Sequence, residues 1–496
     1  MSVPYLIAID QGTTGSTVLV LSKDAQVLGK CTEDFPQHFP RPGWVEHDPE
    51  EIWRSVLNAL GAALKQAEVD PSACAGIGIT NQRETTLLWD RLTGRPVHNA
   101  IVWQDRRTAA LCDGLRARGL EPLFRERTGL VLDPYFSGTK IAWLLDNVAG
   151  LRGRAERGDI SFGTIDSFLV HRLSGSQTHV TDATNASRTL LYDIRRGEWD
   201  EALAGHLGVP LSVLPTVCGS SEVVAHTKGV HGLADGTPIA GLAGDQQAAL
   251  FGQTCFEVGD AKCTYGTGAF LLINTGTEAV TSEHGMLTTV AWQIDGQRTF
   301  ALEGSAFVAG AAVQWLRDGL GIITEAASIE RLANTVRDSG DVVFVPALTG
   351  LGAPYWNPHA RGMITGITRD TTAAHLARAT LEGIALQIAD LAAAMQQEAG
   401  QHIPRLRVDG GACMNNLLMQ FQSDILGVPI ERPSFVETTA LGAAYLAGLS
   451  TGFFPSLQAI RDTHRVDTRF HPSMAKGSVT QHLTRWKKAV ERVMLT

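Results

Sequence analysis

The feature that most constrains the fold is a polar turn between two apolar segments, and the chain contains it twice. Ile7 to Leu21 reads IAIDQGTTGSTVLVL, and Ala261 to Gly276 reads AKCTYGTGAFLLINTG. Each predicts a strand, a Gly-Thr turn and a second strand. A bare hairpin needs only two turn residues, so the extra carboxylate, hydroxyls and glycines of the first turn indicate a ligand. The repeat predicts two similar halves, and two unrelated glycine-rich hairpins are the alternative.

The length of the chain supports a division into two domains. A chain of 496 residues is too long for one hydrophobic core, and we place the domains at 1–250 and 251–496. Strands interleaved with helices indicate an α/β architecture. The apolar spacing of 302–316 and of 374–399 predicts two largely buried helices in the second half.

Composition excludes several classes of function. The net charge of -9 and the pI of about 5.9 argue against a nucleic-acid partner. The seven cysteines are scattered and never form a C-x-x-C pair, which predicts reduced thiols and no structural zinc. No basic leader precedes a short apolar run, and no stretch approaches the roughly 20 apolar residues of a membrane helix. We therefore expect a cytoplasmic protein without membrane insertion.

The first Gly-Thr turn suits a phosphate. Successive backbone N–H groups in such a turn converge on phosphate oxygens, and hydroxyls add further donors. Asp10 ends the first strand, where a carboxylate is compatible with phosphate if Mg²⁺ or its water shell lies between them. A plain hairpin remains the alternative. The sequence contains no Walker A pattern and no G-x-G-x-x-G opening a helix after the first strand, which disfavours P-loop NTPases and dinucleotide dehydrogenases.

Other polar residues stand where strands end. Arg83 and Glu84 follow the strand AGIGI, at the edge where open α/β sheets bind ligands. Asp245 opens an apolar helix after a glycine, and Trp103 ends another apolar strand. Gly411 lies at a strand-to-helix turn whose N–H groups suit a phosphate. Taken singly, these residues also fit a surface ion pair, a helix cap, a core tryptophan and a turn without ligand.

The joint order of these segments resembles the glycerol kinases, a group within the carbohydrate-kinase (FGGY) family of the actin, hexokinase and heat-shock-chaperone ATPase superfamily. Two family signatures are intact, YFSGTKIAWLLDN (Tyr135–Asn147) and GMITGITRDTTAAHLARATLE (Gly362–Glu382). The motifs NQRETT, VWQDRR, GDQQAALFGQ and YGTGAF separate this group from pentulose kinases. The resemblance implies two α/β domains of the actin/hexokinase (ribonuclease H-like) type, with a duplicated phosphate-binding hairpin and an interdomain cleft.

The resemblance also implies an activity and a set of residues. The activity is ATP-dependent phosphorylation of glycerol to sn-glycerol 3-phosphate, with ATP and Mg²⁺ as cofactors and Asp245 as general base. The implied glycerol contacts are Arg83, Glu84, Trp103, Tyr135, Asp245, Gln246 and Phe270. The implied nucleotide contacts are Thr13, Thr14, Gly15, Ser16, Thr267, Gly310, Gln314, Gly411, Ala412 and Asn415. Asp10 and Asp245 are the implied magnesium site.

Two alternatives stay open at this level. A kinase of another small polyol or sugar, such as xylulose, would share the fold, and a non-catalytic ATP-dependent switch would share the nucleotide site. Thr17 stands where the family commonly has arginine, which removes a cation near the nucleotide phosphates. We expect a homodimer or homotetramer.

The sequence of one loop differs from the corresponding loop of the family it resembles. Some bacterial glycerol kinases are inhibited by fructose 1,6-bisphosphate at a glycine-rich loop that contains arginine. The matching stretch, TKGVHGLADGTPIAG, has Asp235 and Gly236 where that loop has threonine and arginine. Lys228 and His231 are its cations, and the histidine should be mostly neutral at pH 7. A bisphosphate needs fixed cationic donors, so we expect weak inhibition or none.

Overall fold

The computed structural model describes residues 3–357 and 359–495, and its two halves are each built around one large sheet. The strands of the first half are β1 (Tyr5–Gln11), β2 (Gly15–Leu21), β3 (Val27–Asp34), β4 (Glu46–His47), β5 (Cys74–Asn81), β6 (Leu87–Asp90), β7 (Ala100–Ile101), β8 (Ile160–Gly163), β9 (Val180–Asp182), β10 (Tyr192–Asp193), β11 (Glu198–Trp199), β12 (Thr216–Cys218), β13 (Ser221–His226) and β14 (Pro238–Gly244). Its α-helices are α1 (Pro49–Ala67), α2 (Ala109–Ala117), α3 (Glu121–Thr128), α4 (Ser137–Asn147), α5 (Leu151–Glu156), α6 (Ile165–Leu173), α7 (Ala183–Ala186), α8 (Glu201–Leu207) and α9 (Asp245–Gly252).

The second half has fewer and longer elements. Its strands are β15 (Ala261–Tyr265), β16 (Ala269–Gly276), β17 (Leu287–Ile294), β18 (Gln297–Ala306), β19 (Val343–Val345), β20 (Met363–Thr365), β21 (Leu406–Asp409), β22 (Ile430–Pro433) and β23 (Val466–Phe470). Its α-helices are α10 (Gly310–Asp318), α11 (Ser328–Ala333), α12 (Ala373–Ala399), α13 (Asn416–Leu426), α14 (Thr438–Ser450), α15 (Leu457–Arg461) and α16 (Lys476–Met494). Short 3-10 helices cover Pro71–Ala73, Leu211–Val213 and Gly411–Met414.

The two large sheets repeat one topology. The first has the order β13-β14-β5-β1-β2-β3, and the second has the order β17-β18-β16-β15-β21-β22-β23. In the first, β1, β2 and β3 form an antiparallel meander, β5 and β14 run parallel to β1, and β13 is an antiparallel edge. The strands β15, β16, β18, β21, β22 and β23 repeat this pattern in the same order. The predicted duplicated hairpin and α/β class are therefore confirmed, and β17 is an added edge strand.

Helix α1 shows how the sequence produces a local element. Asp48 adopts an extended backbone and its side chain accepts a hydrogen bond from the Glu50 N–H over 2.8 Å, with proline at the first helical position. Ile52, Val56 and Leu60 are buried at intervals of four residues, which places them on one face of the helix. That face packs against β2 and β3 and covers one side of the first sheet.

Helices α9 and α14 lie where the two sheets meet. Their crossing is so close that a Cβ on Gly442 would lie 1.8 Å from the Ala248 carbonyl oxygen. Helix α14 also lies on the first sheet, because a Cβ on Gly78 of β5 would lie 2.0 Å from the Ala443 carbonyl oxygen. Glycine is required at both positions by this backbone approach. One hydrophobic cluster thus joins β1, α9, β16 and α14.

The prediction of a helix over 302–316 is wrong in its first part. Leu302 to Ala306 continue β18, and α10 begins only at Gly310. Strand β18 pairs with β16 on one side and with β17 on the other, so its backbone groups are satisfied by the ladder. Spacing alone does not separate a buried strand from a buried helix. The second predicted helix is confirmed as α12.

Two expected properties concern the whole chain. In the residues that the structure describes, no helix combines the length and apolar character needed to cross a bilayer. All seven cysteines fall within the described ranges and carry free thiols.

Candidate active site

Three parallel strands bring the candidate residues to one edge of the first sheet. Strands β1, β5 and β14 run in the same direction, so their carboxyl ends meet there. Asp10 lies near the end of β1, Arg83 and Glu84 follow β5, and Asp245 follows β14 as the first residue of α9. The predicted convergence of these residues therefore follows from strand order.

Arg83 is the centre of the site, and only 2% of its surface is exposed. Its Nη1 donates to Glu303 Oε2 over 2.5 Å and to Gln247 Oε1 over 3.2 Å. Its Nη2 donates to Glu303 Oε1 over 3.0 Å and to the Tyr135 hydroxyl over 3.3 Å. Its Nε lies 3.1 Å from Asp245 Oδ1. Both Nη groups of this side chain therefore donate to protein partners, whereas Nε faces the Asp245 carboxylate as an ion pair.

Glu84 occupies a strained backbone position. Its φ is 60°, in the left-handed region that non-glycine residues rarely adopt. The surrounding structure holds it there, because its carbonyl oxygen accepts hydrogen bonds from Ser137 Oγ over 3.0 Å and Lys140 Nζ over 3.3 Å. Its carboxylate accepts from Arg188 Nε over 2.6 Å. Burial raises the pKa of Glu84, and the charges of Arg83 and Arg188 oppose that rise. Strain of this kind clusters at functional sites.

Two aromatic side chains form a wall beside Arg83. The rings of Trp103 and Tyr135 meet edge to face, with centroids 5.6 Å apart and an interplanar angle of 77°. The indole Nε1 of Trp103 donates to Thr13 Oγ1 over 3.0 Å. Burial raises the pKa of Tyr135, so its hydroxyl stays protonated. The wall is therefore tied both to Arg83 and to the first Gly-Thr turn.

Asp245 and Gln246 connect the first sheet to the second. Asp245 Oδ1 accepts the Gln246 N–H over 2.7 Å, and its side chain is 32% exposed. Gln246 Oε1 accepts from Lys262 Nζ over 2.5 Å, and that ammonium also donates to Thr264 Oγ1 over 2.7 Å. Phe270 pairs with Thr264 across β15 and β16, so it shares the sheet face that points to Gln246.

Asp10 has an environment that suits a cation. Its pKa is raised to about 8, first by burial and then by the carboxylates of Asp245 and Glu437, with Lys30 acting against them. A divalent cation can bind two neighbouring carboxylates through their oxygens, and its charge removes the repulsion between them. The described residues contain no group of three or more His, Cys, Asp or Glu side chains able to hold a metal. Mg²⁺ is commonly bound by one or two carboxylates with substrate phosphates and water, so Asp10 and Asp245 fit it.

The first Gly-Thr turn is held in place by side-chain amides. Gly12 N–H donates to the Gly15 carbonyl over 2.9 Å and closes the turn. Gln82 Nε2 donates to the Gly12 carbonyl over 3.2 Å, and Gln37 Nε2 donates to the Thr13 carbonyl over 2.9 Å. The turn is therefore preorganised before any ligand arrives.

The predicted nucleotide contacts in the first Gly-Thr turn differ in their exposure to solvent. Thr14 is exposed and Thr13 is half-buried, whereas Ser16 is fully buried. The Ser16 hydroxyl is hydrogen-bonded to Ser55 Oγ over 2.8 Å, so this geometry does not direct its side chain to a nucleotide. Thr17 points to the neighbouring strand, where its hydroxyl lies 2.9 Å from Thr32 Oγ1.

The second turn is surrounded by the other predicted nucleotide contacts. Gly266 N–H donates to the Gly268 carbonyl over 2.9 Å, and the Thr267 carbonyl accepts from Ala311 N–H over 3.0 Å at the start of α10. Gly410 has a φ of 82°, and a Cβ there would lie 2.6 Å from the Tyr265 carbonyl oxygen. The turn therefore lies between the beginning of α10 and the Gly411–Met414 helix.

This arrangement brings together Thr267, Gly310, Gly411 and Ala412. The other two predicted nucleotide contacts, Gln314 and Asn415, have different surroundings. Gln314 is exposed one turn further along α10. Asn415 is the N-cap of α13, and its Oδ1 accepts the Leu418 N–H over 2.9 Å. Its side-chain oxygen is therefore used inside the protein, whereas its amide group remains a possible donor.

Sequence reasoning missed four residues that contact the predicted set: Gln247, Arg188, Lys262 and Glu303. Arg188, Lys262 and Glu303 are at most 1% exposed. Charged residues are almost never fully buried unless they are paired. A lone charge inside an apolar strand, such as Lys262 in AKCTY or Glu303 in FALEG, was the available signal.

Two family models and several known proteins match this sequence over nearly its whole length. Residues 5–252 match the N-terminal domain of the FGGY family of carbohydrate kinases, and residues 261–451 match the C-terminal domain of the same family. The chain is 57% identical to glycerol kinase of Myxococcus xanthus over 490 residues, which covers 98% of this chain and 99% of that protein. It is 58% identical to glycerol kinase of Deinococcus radiodurans, with 98% and 97% covered.

Solved structures give the same result. Plasmodium falciparum glycerol kinase with ADP superimposes with a TM-score of 0.93 at 36% identity, covering 99% of this chain and 98% of that one. A xylulose kinase of Lactobacillus acidophilus has a TM-score of 0.88 at 21% identity, with 99% and 97% covered, which is similarity of fold alone. With a duplicated sheet, two Gly-Thr turns and both domain matches in place, the chain belongs to the FGGY family of carbohydrate kinases.

Proposed function

We propose that this chain transfers the γ-phosphoryl group of ATP to a terminal hydroxyl of glycerol, which yields sn-glycerol 3-phosphate. The relatives that are 57% and 58% identical are glycerol kinases, and the structural relative at 36% identity is a glycerol kinase with ADP. The seven residues that the resemblance assigns to glycerol all belong to the neighbourhood of Arg83, Asp245 and Gln246 described above.

The observation that carries the proposal is that the two oxygens of the Asp245 carboxylate have different hydrogen-bonding environments. Oδ1 accepts a hydrogen bond from the Gln246 N–H over 2.7 Å and forms an ion pair with Arg83, whose Nε lies 3.1 Å away. Within the described part of the chain, no hydrogen bond engages Oδ2. A carboxylate with one oxygen fixed and the other open is oriented to accept a proton from a hydroxyl group. Asp245 is therefore the general base.

Glycerol is bound by oriented acceptors and an aromatic wall. Both Nη groups of Arg83 are occupied, so this side chain acts by holding Tyr135, by pairing with Asp245 and by donating from its Nε to a hydroxyl. Glu84 and Gln246 supply further hydrogen bonds. Trp103, Tyr135 and Phe270 contact the carbon atoms, which a small uncharged ligand needs for orientation.

ATP is held between the proposed domains, 1–250 and 251–496, with one Gly-Thr turn from each. Thr13, Thr14 and Gly15 supply donors on one side, and Thr267, Gly310, Gly411 and Ala412 supply them on the other. Asp10 and Asp245 would hold Mg²⁺ through water, and the ion would neutralise charge on the transferred phosphate. Alignment of the hydroxyl with the phosphate by these residues supplies most of the rate enhancement.

The proposal is tested by ATP turnover with a panel of glycerol, four- and five-carbon polyols and xylulose. Glycerol should give the highest kcat/KM, and turnover without any polyol should be low because the site excludes water. A preference for xylulose, or turnover independent of polyol, would overturn the proposal.

A variant tests the base itself. Asp245→Asn keeps the shape of the side chain and removes its basicity, so kcat should fall by about 10² or more while ADP binding stays within about twofold. A kcat close to the wild-type value would contradict the assignment.

A further inference from the structure

Four charged side chains form a closed network behind the glycerol site: Arg83, Glu84, Arg188 and Glu303. None is more than 2% exposed. Glu303 binds both nitrogens of the Arg83 fork, at 2.5 and 3.0 Å, and its Oε1 also accepts from Arg188 Nη2 over 2.9 Å. Arg188 Nε donates to Glu84 over 2.6 Å. The two positive and two negative charges balance, which a buried cluster requires.

Glu303 reaches this network from the other half of the chain. Lys262, Leu272 and Glu303 stand in register across β15, β16 and β18, so they share one face of the second sheet. From that face Lys262 contacts Gln246, and Glu303 contacts Arg83. The second sheet thus contacts both sequence pairs that are proposed to bind glycerol, Arg83 with Glu84 and Asp245 with Gln246.

Arg188 is fixed by the same carboxylates. Its guanidinium carbon lies 5.3 Å from the ring centroid of Phe136 and 5.7 Å from that of Tyr135. Its Nη1 is buried and has no hydrogen-bond partner among the described residues. Glu84 and Glu303 therefore supply the hydrogen bonds that set the orientation of this guanidinium.

The arrangement decides which carboxylate the Arg83 fork engages. Arg83 lies between Glu303, which accepts hydrogen bonds from both of its Nη groups, and Asp245, whose Oδ1 lies 3.1 Å from its Nε. Burial acts to raise the pKa of Glu303, but Arg188 and Arg83 outweigh it and hold the pKa at about 2. Glu303 is therefore ionised at neutral pH. Without its charge, the Nη groups of Arg83 lose their bidentate partner, and the remaining carboxylates beside this side chain are Asp245, with Oδ1 3.1 Å from Nε, and Glu84, with Oε1 3.9 Å from Nε.

We propose that Glu303 is a positioning residue of the glycerol site, which fixes the two Nη groups of Arg83 so that its Nε stays beside Asp245, and which holds Arg188 against Glu84. The inference rests on the proposed function, because it assumes that Arg83, Glu84 and Asp245 act on glycerol. It adds a residue from the second half of the chain to that site.

The test is Glu303→Gln, which preserves shape and removes the charge. The KM for glycerol should rise about tenfold and kcat should fall about tenfold, while the KM for ATP stays within about twofold. The matched control is Glu431→Gln, because Glu431 is also a buried glutamate of the second sheet, with Arg407 at 3.5 Å and Arg469 at 3.0 Å. This control should lower the thermal midpoint without changing the ratio of the two KM values.

Several results would overturn the inference. One is a folded Glu303→Gln enzyme with an unchanged KM for glycerol, and another is an equal rise in both KM values. If Glu303→Gln does not fold, Arg188→Lys carries the test, because it keeps the charge but loses the fork. That variant should show the same selective rise, and wild-type values would overturn the inference. Wild-type turnover is measured first, since failure to turn over glycerol overturns the proposed function rather than the role of Glu303 alone.

Discussion

The indole Nε1 of Trp103 donates a hydrogen bond to Thr13 Oγ1 over 3.0 Å. Trp103 belongs to the aromatic wall at the proposed glycerol site, and Thr13 belongs to the first Gly-Thr turn at the proposed phosphate site. One hydrogen bond therefore joins the parts of the site that are proposed to hold the two substrates. Loss of this bond is expected to affect both.

The variant Trp103→Phe tests this connection. It keeps an apolar ring and removes the N–H, and a neutral hydrogen bond is worth about 1 kcal/mol. The KM values for glycerol and for ATP should therefore both rise about fivefold. Trp199→Phe is the matched control, because its indole donates to the Pro215 carbonyl over 2.8 Å away from the site. A change in the KM for glycerol alone would contradict the connection.

Phe270 is predicted to limit the length of the polyol. Phe270→Ala should raise kcat/KM for four- and five-carbon polyols relative to glycerol by about tenfold, because the ring that closes the site is removed. Phe256→Ala is the control, since Phe256 is also half-buried against the hydrophobic cluster between the sheets. If the relative kcat/KM values are the same in both variants, Phe270 does not line the site.

Stability should fall below about pH 6.5, partly through His47. This ring is fully buried, and its nitrogens lie 2.6 Å from Gln37 Oε1 and 3.3 Å from Gln82 Nε2. Burial lowers the pKa of His47 to about 3, and His38 adds to the effect. Between about pH 3 and pH 6.5 the unfolded chain therefore binds the proton and the folded chain does not, which costs up to about 1.4 kcal/mol per pH unit.

His47→Gln isolates this contribution. Urea unfolding at roughly pH 5 and pH 7 should show a smaller loss of stability in the variant than in the wild type, because one proton uptake is removed. Half-buried histidines whose pKa is also lowered, such as His179 and His464, contribute equally to both proteins. Equal losses in the two proteins would show that His47 is not held neutral by the fold.

Fructose 1,6-bisphosphate at about millimolar concentration is expected to inhibit the enzyme weakly or not at all. In the loop that contains Asp235, the carboxylate of this residue already engages a backbone donor, because the Gly229 N–H donates to Asp235 Oδ1 over 2.7 Å. An anion would have to displace this carboxylate and overcome its charge. The measurement is activity against effector concentration at fixed glycerol and ATP. Saturable inhibition that disappears in Asp235→Ala or His231→Ala would refute the expectation.

Several features could be predicted from sequence because they are local. The apolar runs and glycine turns of both hairpins predicted β1–β2 and β15–β16, and the apolar spacing of 374–399 predicted α12. The positions of Arg83, Glu84 and Asp245 just after strands were also predicted, whereas the parallel order of those strands, which brings the three residues to one edge, is a property of the sheet. Residue type and neighbouring residues were sufficient for these predictions.

Contacts between distant segments were decided only by the tertiary structure. Glu303 lies in a segment whose spacing suggested a helix, yet pairing with β16 and β17 makes it a strand and turns its carboxylate toward Arg83, 220 residues earlier. The Ser16 hydroxyl is directed inward by Ser55 on α1. Ladder hydrogen bonds, burial and pairing of charges depend on partners that sequence spacing does not reveal, and for these residues they outweigh local preference.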